Sequence, residues 1–177
     1  MKSCFFIGHR EAERELLPLI IEAAEHIIQE NQAITFYTGG YGSFDHLAGE
    51  AVIQLKKKHP DSQLYMVIPY HPAERPIEAP TGYDGTFYPD GMETISHRYA
   101  ISRANRKMID MCDYLIAYVT HPASNSGKFL EYARRREKKG LIKAVNLGEA
   151  RQLLKSKAGD RLYSLPLLFA ESQSEKQ

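Results

Sequence analysis

Short apolar runs alternate with segments of helical spacing along most of the chain. Ser3 to Gly8, Ala33 to Thr38, Gln63 to Ile68, Tyr114 to Thr120 and Leu141 to Val145 read as five strands. Two of them, Leu64-Tyr65-Met66-Val67-Ile68 and Tyr114-Leu115-Ile116-Ala117-Tyr118, are apolar throughout, as strands buried on both faces are. Between the strands, Glu13 to Gln29 predicts a helix that turns Leu16, Leu17, Ile20, Ala24, Ile27 and Ile28 inward. Phe44, Leu47, Ala48, Ala51, Val52 and Leu55 keep the same spacing, with Ser43 at the expected N-cap. A further helix covers Arg103 to Asp113, with Ala104, Met108 and Met111 on one face, and another runs from about Lys128 to Lys139.

Strand–helix alternation implies an α/β fold, a parallel sheet with helices on both faces and right-handed crossovers. Counting the five strands in chain order, the expected sheet order is 3-2-1-4-5. Residues 1–170 read as one domain. The interruption at about 69–99 carries five prolines and four tyrosines, and reads either as a lid or ligand-contact segment or as a structural excursion, with a short edge strand at Gly85 to Tyr88. Leu162 to Phe169 is apolar enough to dock on the body or on a partner, and 171–177 reads as a frayed tail.

The 177 residues are 43% apolar and 25% charged, outside the range of disordered or fibrous chains. With 23 Lys and Arg against 22 Asp and Glu, the net charge of +1 argues against a nucleic-acid partner. Cys4 and Cys112 suit reduced thiols in a core rather than a disulfide framework. No apolar run has the length of a membrane span, and Cys4 to Gly8 is too short for a secretory signal. The expectation is a cytoplasmic protein with no membrane partner. Self-association is left open.

The candidate chemistry lies where strands meet helices. Thr38-Gly39-Gly40-Tyr41-Gly42-Ser43-Phe44-Asp45 follows the second strand and opens a helix. Glycines there allow positive φ and close approach of a ligand, and the helix start offers free N–H groups to phosphate. The spacing matches neither the dinucleotide fingerprint nor the P-loop. Gly8-His9-Arg10 after the first strand can reach an anion at the same sheet edge, and Ser124-Asn125-Ser126-Gly127 opens a helix after the fourth. Open α/β sheets bind ligands where the strand order reverses, so these three turns should converge on one crevice. Asn105, one position round from the apolar stripe of its helix, can bond a base, a ribose or a loop carbonyl. Asp113 can cap or break that helix ahead of the strand. The run Arg134-Arg135-Arg136 suits a helix C-terminus. No histidine pair has metal-ligand spacing, and no nucleophile motif stands out, so neither a metal, a cofactor nor a catalytic residue is assigned.

Phe6-Ile7-Gly8-His9-Arg10, the glycine turn through Asp45, Arg103-Ala104-Asn105 with Met108-Ile109-Asp110, Asp113 to Ala117 and Glu131-Tyr132-Ala133 together resemble the SLOG superfamily. That superfamily unites DprA/Smf with the LOG (lysine-decarboxylase-like) proteins, and the chain looks most like its small YpsA-type bacterial members over residues 3–146. The resemblance implies a Rossmann-like three-layer sandwich that binds a nucleotide or nucleotide-derived ligand, as a sensor or regulatory module. By position, Gly8, Gly39, Gly40, Gly42, Ser43 and Asp45 would form the pocket, with Asn105 and the helix start near Gly127 closing it. Enzymatic LOG proteins carry a glutamate three residues after the Ser/Thr of the glycine loop, for cleaving nucleoside monophosphates. Here that position is His46, with Asp45 before it. The alternatives implied are LOG-like N-glycosidic hydrolysis and single-stranded nucleic-acid binding.

Overall fold

The computed structural model describes residues 1–156. The apolar segment Leu162 to Phe169, the tail 171–177 and the end of the expected domain lie outside the described residues. Six strands form one sheet: β1 (Lys2–Gly8), β2 (Ile34–Thr38), β3 (Gln63–Val67), β4 (Gly85–Phe87), β5 (Tyr114–Tyr118) and β6 (Lys143–Asn146). The order is β4-β3-β2-β1-β5-β6 and every pairing is parallel. The five strands expected from the pattern keep the order 3-2-1-4-5. Gly85–Phe87 adds a sixth at the outer edge of β3.

Five α-helices connect or follow these strands: α1 (Leu17–Asn31), α2 (Ser43–Lys56), α3 (His97–Met111), α4 (Asn125–Glu137) and α5 (Leu147–Ser156). The helix expected from Glu13 begins instead as a 3-10 turn, Arg14–Leu16, and α1 proper starts with Pro18 in its first turn. Proline is tolerated there because the first N–H groups have no helical acceptor. Ser43 is not the N-cap: Gly42 is, at φ −142°, and Ser43 is already helical. The third helix starts at His97, six residues earlier than its apolar stripe suggests. Arg98, Tyr99, Ile101 and Ser102 are exposed and only Ala100 is buried, so its first turns carry little hydrophobic signal. Helix α4 likewise starts at Asn125 rather than Lys128, because Ser124 accepts a hydrogen bond from the Gly127 N–H and caps it. The last strand is Lys143–Asn146, leaving Leu141 about half exposed.

Side-chain alternation along the sheet builds two apolar layers. Cys4 and Phe6 of β1 face α1, α2 and α5, where Ile20, Ile27, Phe44, Val52 and Leu147 are buried. Phe5 and Ile7 face α3 and α4, where Ala104, Met108, Ile109 and Leu130 are buried. Each such large apolar side chain removed from water contributes roughly 1.5–3 kcal/mol before entropy is subtracted. Both cysteines lie in these layers. Burial raises the Cys4 thiol well above its ordinary value and pushes Cys112 up to about 12. Asp113 neither caps nor breaks α3 through its side chain: its carboxylate accepts from the Ser3 N–H at 2.9 Å and from Lys2 Nζ at 2.6 Å, tying β5 to the start of β1. Among the described residues, no helix is long and apolar enough to cross a membrane.

The consequence for ligand binding is geometric. The helix after β1 packs on one face of the sheet and the helix after the adjacent β5 packs on the other, so a crevice opens at their carboxyl ends.

Candidate functional site

A cavity of about 390 Å³ occupies that crevice. The size falls in the range of small-molecule sites, roughly 300–1,000 Å³. Its walls come from β1 and its turn (Phe5, Phe6, Ile7, Gly8, Arg10), the β2–α2 turn (Gly39, Tyr41, Gly42, Asp45), α3 (Ile101, Asn105) and the start of α4 (Asn125, Ser126, Phe129). Six of the ten residues singled out from sequence line it: Gly8, Arg10, Gly39, Gly42, Asp45 and Asn105. His9, Gly40, Ser43 and Gly127 do not line it, and each has another task.

Those tasks hold the three turns together. Ser43 Oγ donates to the Arg10 carbonyl at 2.8 Å and accepts from the Ala12 N–H at 2.6 Å, and the Ser43 N–H reaches the same carbonyl at 2.8 Å. His9 Nε2 accepts from the Thr120 N–H at 2.8 Å, with the His121 N–H also within 3.3 Å. That pattern requires a neutral ring, and burial followed by the neighbouring His121 lowers its affinity for a proton. Ser126 Oγ donates to the Gly8 carbonyl at 2.7 Å. The turn after β1 is therefore clamped from both sides.

The glycines are demanded by packing rather than by unusual backbone angles. None of Gly8, Gly39, Gly40, Gly42 or Gly127 has positive φ, contrary to the expectation from sequence. A Cβ on Gly8 would strike the Phe44 ring, and one on Gly127 the Pro122 carbonyl. On Gly39 it would lie 2.6 Å from Asp45 Oδ2, on Gly42 3.0 Å from Arg10 Cα, and on Gly40 3.1 Å from Met66 Sδ. Close turn-to-turn contact is what leaves the crevice with backbone walls.

Two helix starts face the cavity. In α2 the first intrahelical bond is His46 N–H to the Gly42 carbonyl, so the Phe44 and Asp45 N–H groups have no acceptor within the helix. In α4 the Gly127 N–H goes to Ser124 Oγ and the Lys128 N–H to the Ser124 carbonyl, which leaves those of Asn125 and Ser126 without a helical acceptor. Such groups and the associated dipole suit an anion. Arg10 is exposed at the rim, and among the described residues no ion pair engages it.

Asp45 sits at the third position of α2, half-buried, and its Oδ2 accepts from the Tyr41 N–H at 3.1 Å. Burial pushes its carboxyl up from the ordinary value, opposed by the Tyr41 and Gly42 N–H groups and by His46. A carboxylate there repels phosphate and accepts from hydroxyls, so it can take a sugar while the N–H groups take the anion. His46 is exposed and does not line the cavity. Asn105 offers a donor and an acceptor, and Ile101 and Phe129 add apolar surface to the same cavity. Ile101 and Phe129 carried no signal in the sequence, whereas Asn125 and Ser126 belong to the turn after the fourth expected strand. Ile101 lies four residues before Asn105 on the same face of α3, a relation visible only once the true start of that helix is known.

The 69–96 segment closes one side of the assembly. Tyr83 shares a hydrogen bond of 3.0 Å with the buried Thr38 hydroxyl and packs against Gly49 of α2, where a Cβ would clash. Asp84 accepts from the Leu64 N–H at 2.7 Å and from Lys56 Nζ. Among the described residues, no three His, Cys, Asp or Glu side chains form a group able to hold a metal ion.

No protein-family profile matches the chain, and no curated protein matches it. Among solved structures, the chain is similar to DNA processing protein A (DprA) from Streptococcus pneumoniae, with a TM-score of 0.57 and 15% sequence identity. The match covers 82% of this chain and 50% of that one, so the chain corresponds to about half of its neighbour's length. The fold of this chain is thus an α/β, Rossmann-like fold of the kind DprA has.

Proposed function

We propose that the chain is a SLOG-type domain of the small YpsA-like kind, which binds a nucleotide or nucleotide-derived ligand in the switch-point cavity, as a sensor or regulatory module. The observation that carries it is the convergence in one cavity of two helix starts, an unengaged arginine, a half-buried carboxylate and an amide side chain between apolar walls. In this arrangement the Asp45, Asn125 and Ser126 N–H groups and Arg10 hold the phosphate. Asp45 accepts from the ribose hydroxyls, and Asn105 reads the base between Ile101 and Phe129. The likeness to a DNA-processing protein is in keeping with a nucleotide- or nucleic-acid-related role. The size of the cavity favours a small molecule over a strand.

Mass spectrometry of small molecules released from freshly purified protein tests this. A nucleotide-derived species retained by the wild type and lost in Asn105→Ala supports it. Release of the same species in the same amount from both proteins places the ligand elsewhere.

A second reading, N-glycosidic cleavage, is favoured by one observation: Asp45 puts a carboxylate in the cavity although the glutamate position of LOG enzymes is His46. Against it, that carboxylate is already held by its own turn at Tyr41.

A further inference from the structure

Tyr41 is the aromatic member of the glycine turn, and its ring has no structural task. Every other tyrosine among the described residues has a second ring or a cation against its own ring, or a hydrogen bond on its hydroxyl. Among the same residues, no ring or cation lies against that of Tyr41, and nothing hydrogen-bonds its hydroxyl. Tyr41 is 41% exposed and is a wall of the switch-point cavity. Ile101, on α3 and 40% exposed, is another wall of it. Neither belongs to the two apolar layers of the core. Apolar surface left in water at a cavity wall is stabilised when a ligand covers it.

The backbone that carries the ring is held. The Tyr41 N–H donates to Asp45 Oδ2 at 3.1 Å, and the glycines on either side pack against Met66 and Arg10. That bond also fixes where the ring stands relative to a nucleotide. Under the proposed function Asp45 accepts from the ribose hydroxyls, and a base is bonded directly to the ribose. A phenol whose own N–H touches that carboxylate is within a side chain's length of the base. We propose that Tyr41 is a specificity-determining residue of this site: the base stacks on its ring, and the site therefore prefers purine to pyrimidine nucleotides. Base–aromatic stacking strengthens with the overlap of the two π systems, and two fused rings cover more of a phenol than one does. Asn105 then reads an edge of the base whose face Tyr41 covers. This rests on the nucleotide-binding function proposed above and adds the class of base and the residue that selects it.

Isothermal titration of the full chain with AMP, GMP, CMP and UMP, with ribose 5-phosphate as a baseless competitor, tests it. At least one purine monophosphate is expected to bind about fivefold or more tightly than both pyrimidine monophosphates. In Tyr41→Ala that gap closes to within about twofold, while the affinity for ribose 5-phosphate is unchanged. Tyr41→Phe keeps the ring without the hydroxyl and retains the gap. The chain has no tryptophan, so Tyr41→Trp places a single fluorophore in the turn. The purine nucleotide should quench it saturably, and ribose 5-phosphate should reverse the quenching without causing any. Equal affinity of the wild type for purine and pyrimidine monophosphates overturns the purine preference and leaves nucleotide binding standing. A gap that survives Tyr41→Ala or disappears in Tyr41→Phe, or a loss in Tyr41→Ala that ribose 5-phosphate shares equally, overturns the stacking role. Absence of binding by all four nucleotides overturns both proposals together.

Discussion

At the residue scale, the polar members of the sequence motifs divide into those that face the cavity and those spent on holding it open. Ser43 and His9 stand in motif positions that suggest ligand contact, yet the Ser43 hydroxyl and the His9 Nε2 are engaged by the backbone of neighbouring turns. Spacing along the chain shows that a serine follows a glycine turn. It does not show that a carbonyl 33 residues earlier will arrive 2.8 Å away. Arg10 and Asp45 were legible because their chemistry and their place in turns after strands both point to the crevice, and Asn105 because it stands one position round from the apolar stripe of its helix. The His9 clamp leads to a pH dependence. Its pKa lies below the ordinary 6.5 in the folded state, so as pH falls below that value the unfolded chain takes up the proton first. The stabilisation is complete above about 6.5 and is lost as pH falls towards the folded value. Thermal melts from pH 7.5 to 5.0 should show a smaller acid loss in His9→Gln, which keeps an acceptor but cannot titrate there. An identical acid slope in both proteins would show that this imidazole is not held neutral by its contacts.

At the element scale, the five core strands and the two faces of the sheet were legible because apolar periodicity is set by burial, which a sequence records directly. Helix starts were less so. Residues 97–102 form the first turns of α3 while exposing most of their side chains, and the apolar pattern there is blank. The 69–96 segment was legible as an interruption with a short edge strand at Gly85 to Tyr88, which the structure has as Gly85–Phe87, but not in the rest of its course. Its structure depends on single tertiary anchors, Tyr83 on Thr38 and Gly49, and Asp84 on Leu64 and Lys56, which leave no local pattern. Tyr83→Phe removes a hydrogen bond to a fully buried hydroxyl. A loss of about 1 kcal/mol in urea unfolding is expected. Proteolysis should also speed up within 69–96 before it does elsewhere. Unchanged stability would mean that the Thr38 hydroxyl finds another partner.

At the scale of the whole molecule, a parallel sheet whose helices change face between β1 and β5 makes one crevice, and the residues around it set what that crevice does. On the proposed reading the site holds a nucleotide and does not break one. Cleavage of an N-glycosidic bond needs a positioned carboxylate to stabilise charge developing on the ribose and to activate water. His46 cannot supply a constant negative charge and does not line the cavity. Incubation with AMP, GMP, CMP and UMP, followed by chromatography of free base, should give no turnover. Robust release of base that disappears in Asp45→Asn would replace binding by hydrolysis as the function of the site.

The central claim is that nucleotide binds where the three turns meet. Backbone amide resonances followed by NMR during titration with AMP, GMP, CMP and UMP report this position by position. The account predicts saturable shifts concentrated at Gly8, Arg10, Gly39, Tyr41, Gly42, Asp45, Asn105, Asn125 and Ser126. Shifts centred on another part of the surface, or no saturable shift with any of the four, would contradict it.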